Sequence, residues 1–235
     1  MCAEQLDDFV RSLLDQLAVE RPPVDAVGIA RLLGIVVAVD SRMTGRARRV
    51  RLAVGPAETR PAIYVRPEPR AERRQWAVAH ELGEHFAADL FEVTGLHESE
   101  ATAEDRERMA NAFAEALLLP RDQFLAEGAS CDWDLAALKE RFATASHELI
   151  ARRMVAFVPG LHVTIVDNGL LHARYAAFGR RAPLEPGERE VLRRCAESGL
   201  PQEWGLEHVR LRAWPIHEPD HRREILITQW TDADF

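Results

Sequence analysis

Gln75-Trp-Ala-Val-Ala-His-Glu-Leu-Gly-Glu-His-Phe-Ala-Ala88 is the stretch on which the fold turns. Its small and apolar residues recur at helical spacing, which predicts a helix over about 71–91. Helical side chains advance by about 100° per residue, so His80 and Glu84 lie about 40° apart on one face. That is the separation an i, i+4 ligand pair needs. His85 lies about 140° round from His80 and cannot share a ligand with it on a regular helix. A π-bulge, a device found at functional sites, would bring it in. Glu81 is i, i+4 to His85, so these two can touch each other instead.

The hexapeptide His80–His85 is one residue away from H-E-x-x-H, which sets two zinc-binding histidines on one helix face with a general base beside the first. Here Glu84 occupies the fourth place after His80, and the histidine comes one residue late. A catalytic zinc needs three protein ligands and an open position for water, so another ligand must come from elsewhere. The next predicted helix, 99–118, offers Glu107, which shares a face with Ala110, Asn111 and Ala114. A face of small residues can pack against the first helix. A buried carboxylate there needs a partner, and a metal ion would supply one. Glu81 would then take the proton from the activated water. Three arrangements stay open at this point: His80, Glu84 and Glu107 as ligands; His85 as the alternative ligand; or a polar helix face with no metal.

Outward from this stretch, residues 5–19 and 24–33 read as helices broken at Pro22-Pro23, with Gly34 as a C-terminal cap. Residues 35–39, 50–54 and 62–65 read as strands, the last two joined through Gly55-Pro56. The helix at 99–118 stops at Pro120. Segments 135–142 and 146–154 read as two helices around a tight turn, with Ser146 as N-cap. Residues 162–166 and 170–176 form a predicted hairpin about Asp167-Asn168-Gly169. A helix at 188–197 and a strand at 224–229 complete the pattern. The fold class is α+β, with expected domains 1–125, 126–158 and 159–235, the last a small α/β domain. Trp204, Trp214 and His217 either line a pocket or pack in the core, and packing is the simpler reading.

Composition narrows the setting. At 47% hydrophobic residues the 235-residue chain is globular. Its net charge of −8 argues against a nucleic-acid binder as a whole. The charge is uneven: residues 42–74 hold ten arginines and three glutamates, and residues 75–121 hold ten acids and three arginines. The basic stretch is either a solvated surface or a docking patch for an acidic partner. Residues 126–158 carry four cations against five acids, too little positive charge for a DNA reader, so direct DNA binding is not expected. Cys2, Cys131 and Cys195 are scattered and odd in number, which fits a reducing cytoplasm. The acidic start, Met1–Asp8, has no signal-peptide character, and no apolar run is long enough to span a membrane.

Three segments together carry a family resemblance. Arg73-Arg-Gln-Trp-Ala-Val-Ala-His-Glu-Leu-Gly83 and Glu107-x-x-Ala-Asn-x-Phe-Ala114, followed by Leu117-Leu-Leu-Pro120, resemble the ImmA/IrrE metallopeptidases. Pro22-Pro-Val-Asp25 through Gly34 is similar to that family's N-terminal helices, so the likeness covers about residues 5–122. It implies a zincin-like domain of a small sheet plus active-site helices, with Zn2+ held by His80 and Glu107 and with Glu81 as base. The family's second histidine is replaced by Glu84, which makes the site more oxygen-rich and Mn2+ or another divalent ion more competitive. The relatives' arrangement further implies a helix-turn-helix-like segment at 126–158 and a GAF-like sensor domain at 159–235. The expected activity is cleavage of an XRE-type repressor in a stress, DNA-damage or mobile-element response. The alternative is a regulator that binds such a repressor without cutting it.

Overall fold

The structure is a computed structural model that describes residues 3–53, 55, 58–95, 101–176, 183–206, 208–218 and 221–230. Cys2, His97, Val54 at the end of the expected strand 50–54 and Pro56 of the expected Gly55-Pro56 connection lie outside these residues. The chain is mixed α+β and divides into two compact units, 1–132 with 139–146, and 133–138 with 147–235. Residues 126–158, expected as a segment of their own, are shared between these units.

The first unit begins with α1 (Ala3–Gln16) and α2 (Ala26–Leu32). Asp25 caps α2 by accepting the Val27 N–H. The buried Gln75 extends that cap from a distant helix: its amide accepts the Ala26 N–H at 2.7 Å and donates to Asp25 Oδ1 at 2.7 Å. Gly34 follows α2 at φ +73°, the left-handed conformation expected of a C-terminal cap glycine. Strands β1 (Val36–Val39), β2 (Ala47–Ala53) and β3 (Thr59–Val65) form a sheet of order β1-β3-β2, with β1 parallel and β2 antiparallel to β3. Both β1 and β2 are therefore edges among the described residues. Pro61 is tolerated in the central strand because β1 pairs only from Ala62 onward and Pro61 faces Arg51 of β2 alone.

The single helix expected over 71–91 is two: α3 (Ala71–His85) and α4 (Ala87–Val93), separated at Phe86. Phe86 meets Phe9 at 5.6 Å and Phe113 at 5.8 Å between ring centroids, so the break seats a large ring among aromatic neighbours. The following helix, α5 (Ala103–Leu118), starts at a capping box in which Thr102 and Asp105 bond each other's backbone N–H. It packs against α3 across Gly83, where an added Cβ would lie 2.8 Å from Ala110 Cα and 3.0 Å from Ala110 O. Glycine is costly inside a helix, and here it allows the two backbones to approach closely. After Pro120, α6 (Arg121–Ser130) buries Phe124.

Helix α7 (Leu135–Arg141) has residues assigned to each unit, and α8 (His147–Phe157) belongs to the second. Ser146 immediately precedes α8. In the second unit β4 (Leu161–Asp167) and β5 (Leu170–Ala176) form the expected hairpin, with Asn168 and Gly169 both at positive φ. Helix α9 (Pro186–Ser198) follows, then β6 (Gln202–Leu206), β7 (Val209–Glu218) and β8 (His221–Trp230). The five-stranded sheet has the order β5-β4-β8-β7-β6 and is antiparallel throughout. Val166, Leu211, Ala213 and Leu226 form one cluster with Val191, Leu192 and Cys195 of α9. Val163, Ile165, Ile225 and Ile227 alternate with that set along their strands and are also fully buried, so the sheet is covered on both faces. Trp214 is in the core, whereas Trp204 is partly exposed with its ring against Gly187, and His217 bonds Glu224 at 2.7 Å. Arg174 and Glu188 form a buried two-pronged ion pair at 2.9 and 2.8 Å, and Thr228 donates to the same carboxylate at 2.6 Å.

Candidate metal centre

The close approach of α3 and α5 at Gly83 brings His80 and Glu107 together. His80 Nε2 lies 3.6 Å from Glu107 Oε2. On the other side of the ring, His80 Nδ1 meets Asn111 Oδ1 at 3.2 Å, and Asn111 Nδ2 donates to Glu107 Oε1 at 3.1 Å. The amide therefore bridges the two residues. Because Asn111 Oδ1 can only accept, Nδ1 carries a proton, which leaves Nε2 as the nitrogen turned toward the Glu107 carboxylate. An outer hydrogen bond from Nδ1 of this kind is the usual way to present Nε2 to a metal. His80 is largely shielded, whereas the Glu107 side chain is 63% exposed. A tetrahedral zinc with bonds of about 2.0–2.1 Å sets neighbouring ligand atoms a little over 3 Å apart, and the His80–Glu107 pair is near that spacing.

Glu84 lies one turn beyond His80 on α3, half-buried, with no hydrogen bond or ion pair to any described residue. His80, Glu84 and Glu107 do not converge on one point: among the described residues no three His, Cys, Asp or Glu side chains form a group that could hold a metal ion. The fit to a metal therefore rests on two oriented ligands and one unpartnered carboxylate on the same helix face.

Glu81 faces the sheet. Burial pushes its carboxyl above the ordinary carboxylate range, opposed by the charge of His80 and by a hydrogen bond accepted from the Arg49 backbone N–H of β2. A carboxyl raised in this way is a better proton acceptor than an ordinary carboxylate. His85 ends α3, which stays a regular α-helix to its last residue, so no bulge swings His85 toward His80. Its ring packs edge-on to Phe86 at 5.0 Å, and it lines an open groove of about 460 Å³ with Arg49, Val50, Arg51 and Pro61. Burial, followed by the charge of Arg49, holds its pKa below the usual histidine value. Glu81 and His85 make no hydrogen bond to each other among the described residues.

The sequence pattern placed Asn111 on the right face and gave it no part. Its signal is the i, i+4 spacing to Glu107. Gly83 was equally readable, as a glycine held in a helix interior at a cost of about 1 kcal/mol.

The cations of residues 126–158 are largely engaged in the fold. Lys139 Nζ binds Glu72 at 3.0 Å and the carbonyls of Ala143 and Ala145 at 2.7 and 2.9 Å. Arg141 bonds Glu127 and Ser130. Arg153 is 8% exposed and lies 4.8 Å from the centroid of the Phe157 ring.

The fold that carries these residues is of mixed α+β build. The chain belongs to the peptidase M78 family: residues 30–154 match the family described as an IrrE N-terminal-like domain. A solved Mycobacterium tuberculosis transcriptional regulator is similar in fold over 97% of this chain and 76% of its own, with a TM-score of 0.65 and 18% identity. The sensor domain of the zinc-responsive histidine kinase CzcS from Pseudomonas aeruginosa matches at a TM-score of only 0.24, with 17% identity over 56% of this chain and 100% of its own. No curated protein matches the chain. Among the described residues no helix is long and apolar enough to cross a membrane.

Proposed function

We propose that the chain is a metal-dependent endopeptidase with a zincin-like active site that regulates transcription in the cytoplasm. Its substrate in this reading is a helix-turn-helix repressor of the XRE type, cut in a stress, DNA-damage or mobile-element response. The observation that carries the reading is the Asn111 bridge, which fixes His80 Nε2 toward Glu107 with Glu81 held one residue away. Membership of a peptidase family supports the chemistry. Likeness in fold to a transcriptional regulator is consistent with the setting.

His80, Glu107 and Glu84 are the residues that would hold a divalent ion, zinc or, given two carboxylates in three ligands, manganese. When bound, the ion supplies Lewis acidity to polarise the scissile carbonyl and lower the pKa of a water. Glu81 receives the proton of that water and returns it to the departing amine, and burial supplies the raised pKa this requires. The Arg49 N–H holds the Glu81 carboxyl in position, and Asn111 holds His80 and Glu107. The second unit, a five-stranded sheet packed against α9, is the proposed GAF-like sensor part.

The test is metal analysis of the purified protein and cleavage of its cognate repressor by wild type and Glu81→Gln. The expected result is a stoichiometric divalent ion in both and cleavage by wild type alone. Equal cleavage by Glu81→Gln removes Glu81 as the base. A second reading, a regulator that binds a repressor without cutting it, is favoured by the unconverged Glu84. Metal-free protein whose stability is unchanged by His80→Ala would select it.

A further inference from the structure

Strand β2 is an edge whose backbone orientation follows from a single residue. Opposed residues of an antiparallel pair alternate between pairs that exchange both hydrogen bonds and pairs that exchange none. Arg51 stands opposite Pro61, which has no N–H to give, so this is a non-exchanging pair. Two residues back, Arg49 and Ile63 must be another. Arg49 and Arg51 therefore direct their N–H and C=O groups away from β3, off the edge of the sheet. The carboxylate of Glu81 accepts the Arg49 N–H, which places that side chain at the same edge. The Arg51 N–H and both carbonyls have no partner among the described residues.

The side chains add charge to this edge. Arg49 and Arg51 are alternate residues on one face of β2, both exposed, and both line the groove with His85. Arg51 Nε donates to Thr59 Oγ1 at 3.2 Å, and neither guanidinium forms an ion pair with a described residue. We infer that β2 is a rail for an extended acidic peptide segment, which adds as a further strand through the Arg51 N–H and the Arg49 and Arg51 carbonyls and sets two carboxylates, two residues apart, against Arg49 and Arg51. An open edge supplies affinity through main-chain hydrogen bonds, and alternate side chains supply selectivity. Opposed side chains across such a pair lie about 5 Å apart, within reach of a guanidinium–carboxylate contact. That the added strand is the substrate rests on the peptidase reading. That it is acidic and extended rests on β2 alone.

The test uses the full chain and a fluorescein-labelled decapeptide of Thr and Val carrying Glu at two positions two residues apart, with Gln and Lys versions as comparisons. Binding is followed by fluorescence anisotropy without turnover. Exposed ion pairs are individually weak, so the expected preference is about threefold for Glu over Gln and about tenfold for Glu over Lys, shrinking at high salt. R49E/R51E should invert the order, so that the Lys peptide binds best, and a gain of that kind cannot come from misfolding. N-methylation of the peptide backbone on the pairing side should abolish binding. Equal affinity for the Glu and Lys peptides, an order unchanged in R49E/R51E, or undiminished binding of the N-methylated peptide would overturn the inference. Charge-selective binding with no cleavage under any divalent metal leaves the rail standing and removes the peptidase reading. Cleavage with no charge preference does the reverse.

Discussion

Gly83→Ala tests the packing that assembles the candidate centre. The new Cβ would stand 2.8 Å from Ala110 Cα, 3.0 Å from Ala110 O and 3.2 Å from Phe113 Cβ, whereas ordinary contact begins near 3.4 Å. Two of these neighbours are backbone atoms, so no rotamer change relieves them, and α3 and α5 must part by about 0.6 Å, the shortfall at Ala110 Cα. His80 precedes Gly83 by one turn on α3, and Asn111 directly follows Ala110 on α5. Carried rigidly, the shift takes the 3.2 Å His80–Asn111 contact to about 3.8 Å, beyond hydrogen-bonding distance. Alanine favours the helix by about 1 kcal/mol over glycine. Overpacking costs about 1–3 kcal/mol and outweighs it. A net loss of about 1 kcal/mol corresponds to a fall of about 2–4 °C in Tm for a domain of this size. Loss of the hydrogen bond that orients a ligand histidine lowers metal affinity by about 10- to 100-fold. Differential scanning calorimetry and isothermal titration with Zn2+ measure the two effects on one sample. A Tm above wild type together with unchanged zinc affinity would refute the reasoning, since it would mean that helix propensity dominates and the helix spacing does not set the site.

Other perturbations separate the site from its scaffold. Asn111→Ala should leave the fold intact and reduce zinc affinity by about tenfold or more, with Asn111→Asp restoring part of it, as read by titration calorimetry. In the second unit, burial favours the neutral form of Glu188, but Arg174, Thr228 and the Glu185 N–H outweigh it and hold the carboxyl below its ordinary value. Stability from this group is full above the ordinary carboxylate range near pH 4.5 and is lost as pH falls through the depressed value. Glu188→Gln should therefore cost about 3 kcal/mol at pH 7, measured by urea denaturation, and progressively less in acid. Cys195 is fully buried with its thiol pushed up to about 12, and Cys131 is partly exposed. A thiol reagent at pH 8 should label Cys131 in the native protein and Cys195 only on unfolding, as seen by mass spectrometry.

The elements legible from sequence were those with a local cause. Asn168-Gly169 sets the hairpin turn, Pro120 stops α5, and Gly34 ends α2, each through its own backbone preference. The break at Phe86 was not legible, because its cause is aromatic packing against Phe9 and Phe113, residues distant along the chain. Strands β6 and β7 were missed for a related reason. Leu211, Arg212, Ala213 and Trp214 are all buried, so β7 shows no alternation, and Pro215 argues against a strand. Pairing with β6 ends at Ala213, however, so Pro215 sits where that side of β7 is open. At the site, His80, Glu81, Glu84 and Glu107 were placed on their faces by helical periodicity alone. The Asn111 bridge and the Arg49 hydrogen bond were not visible, since both depend on distances between elements that periodicity does not set.

An open sheet edge is also a hazard, because it offers the same hydrogen bonds to a second copy of the chain as to any peptide. Two β2 edges laid side by side would bring arginine against arginine along the strip that holds Arg48, Arg49 and Arg51. The charge thus works as a gatekeeper against self-pairing. Neutralising the strip to weaken peptide binding should therefore carry a second effect, a greater tendency of the protein to associate with itself. Solubility and recognition are set by the same side chains.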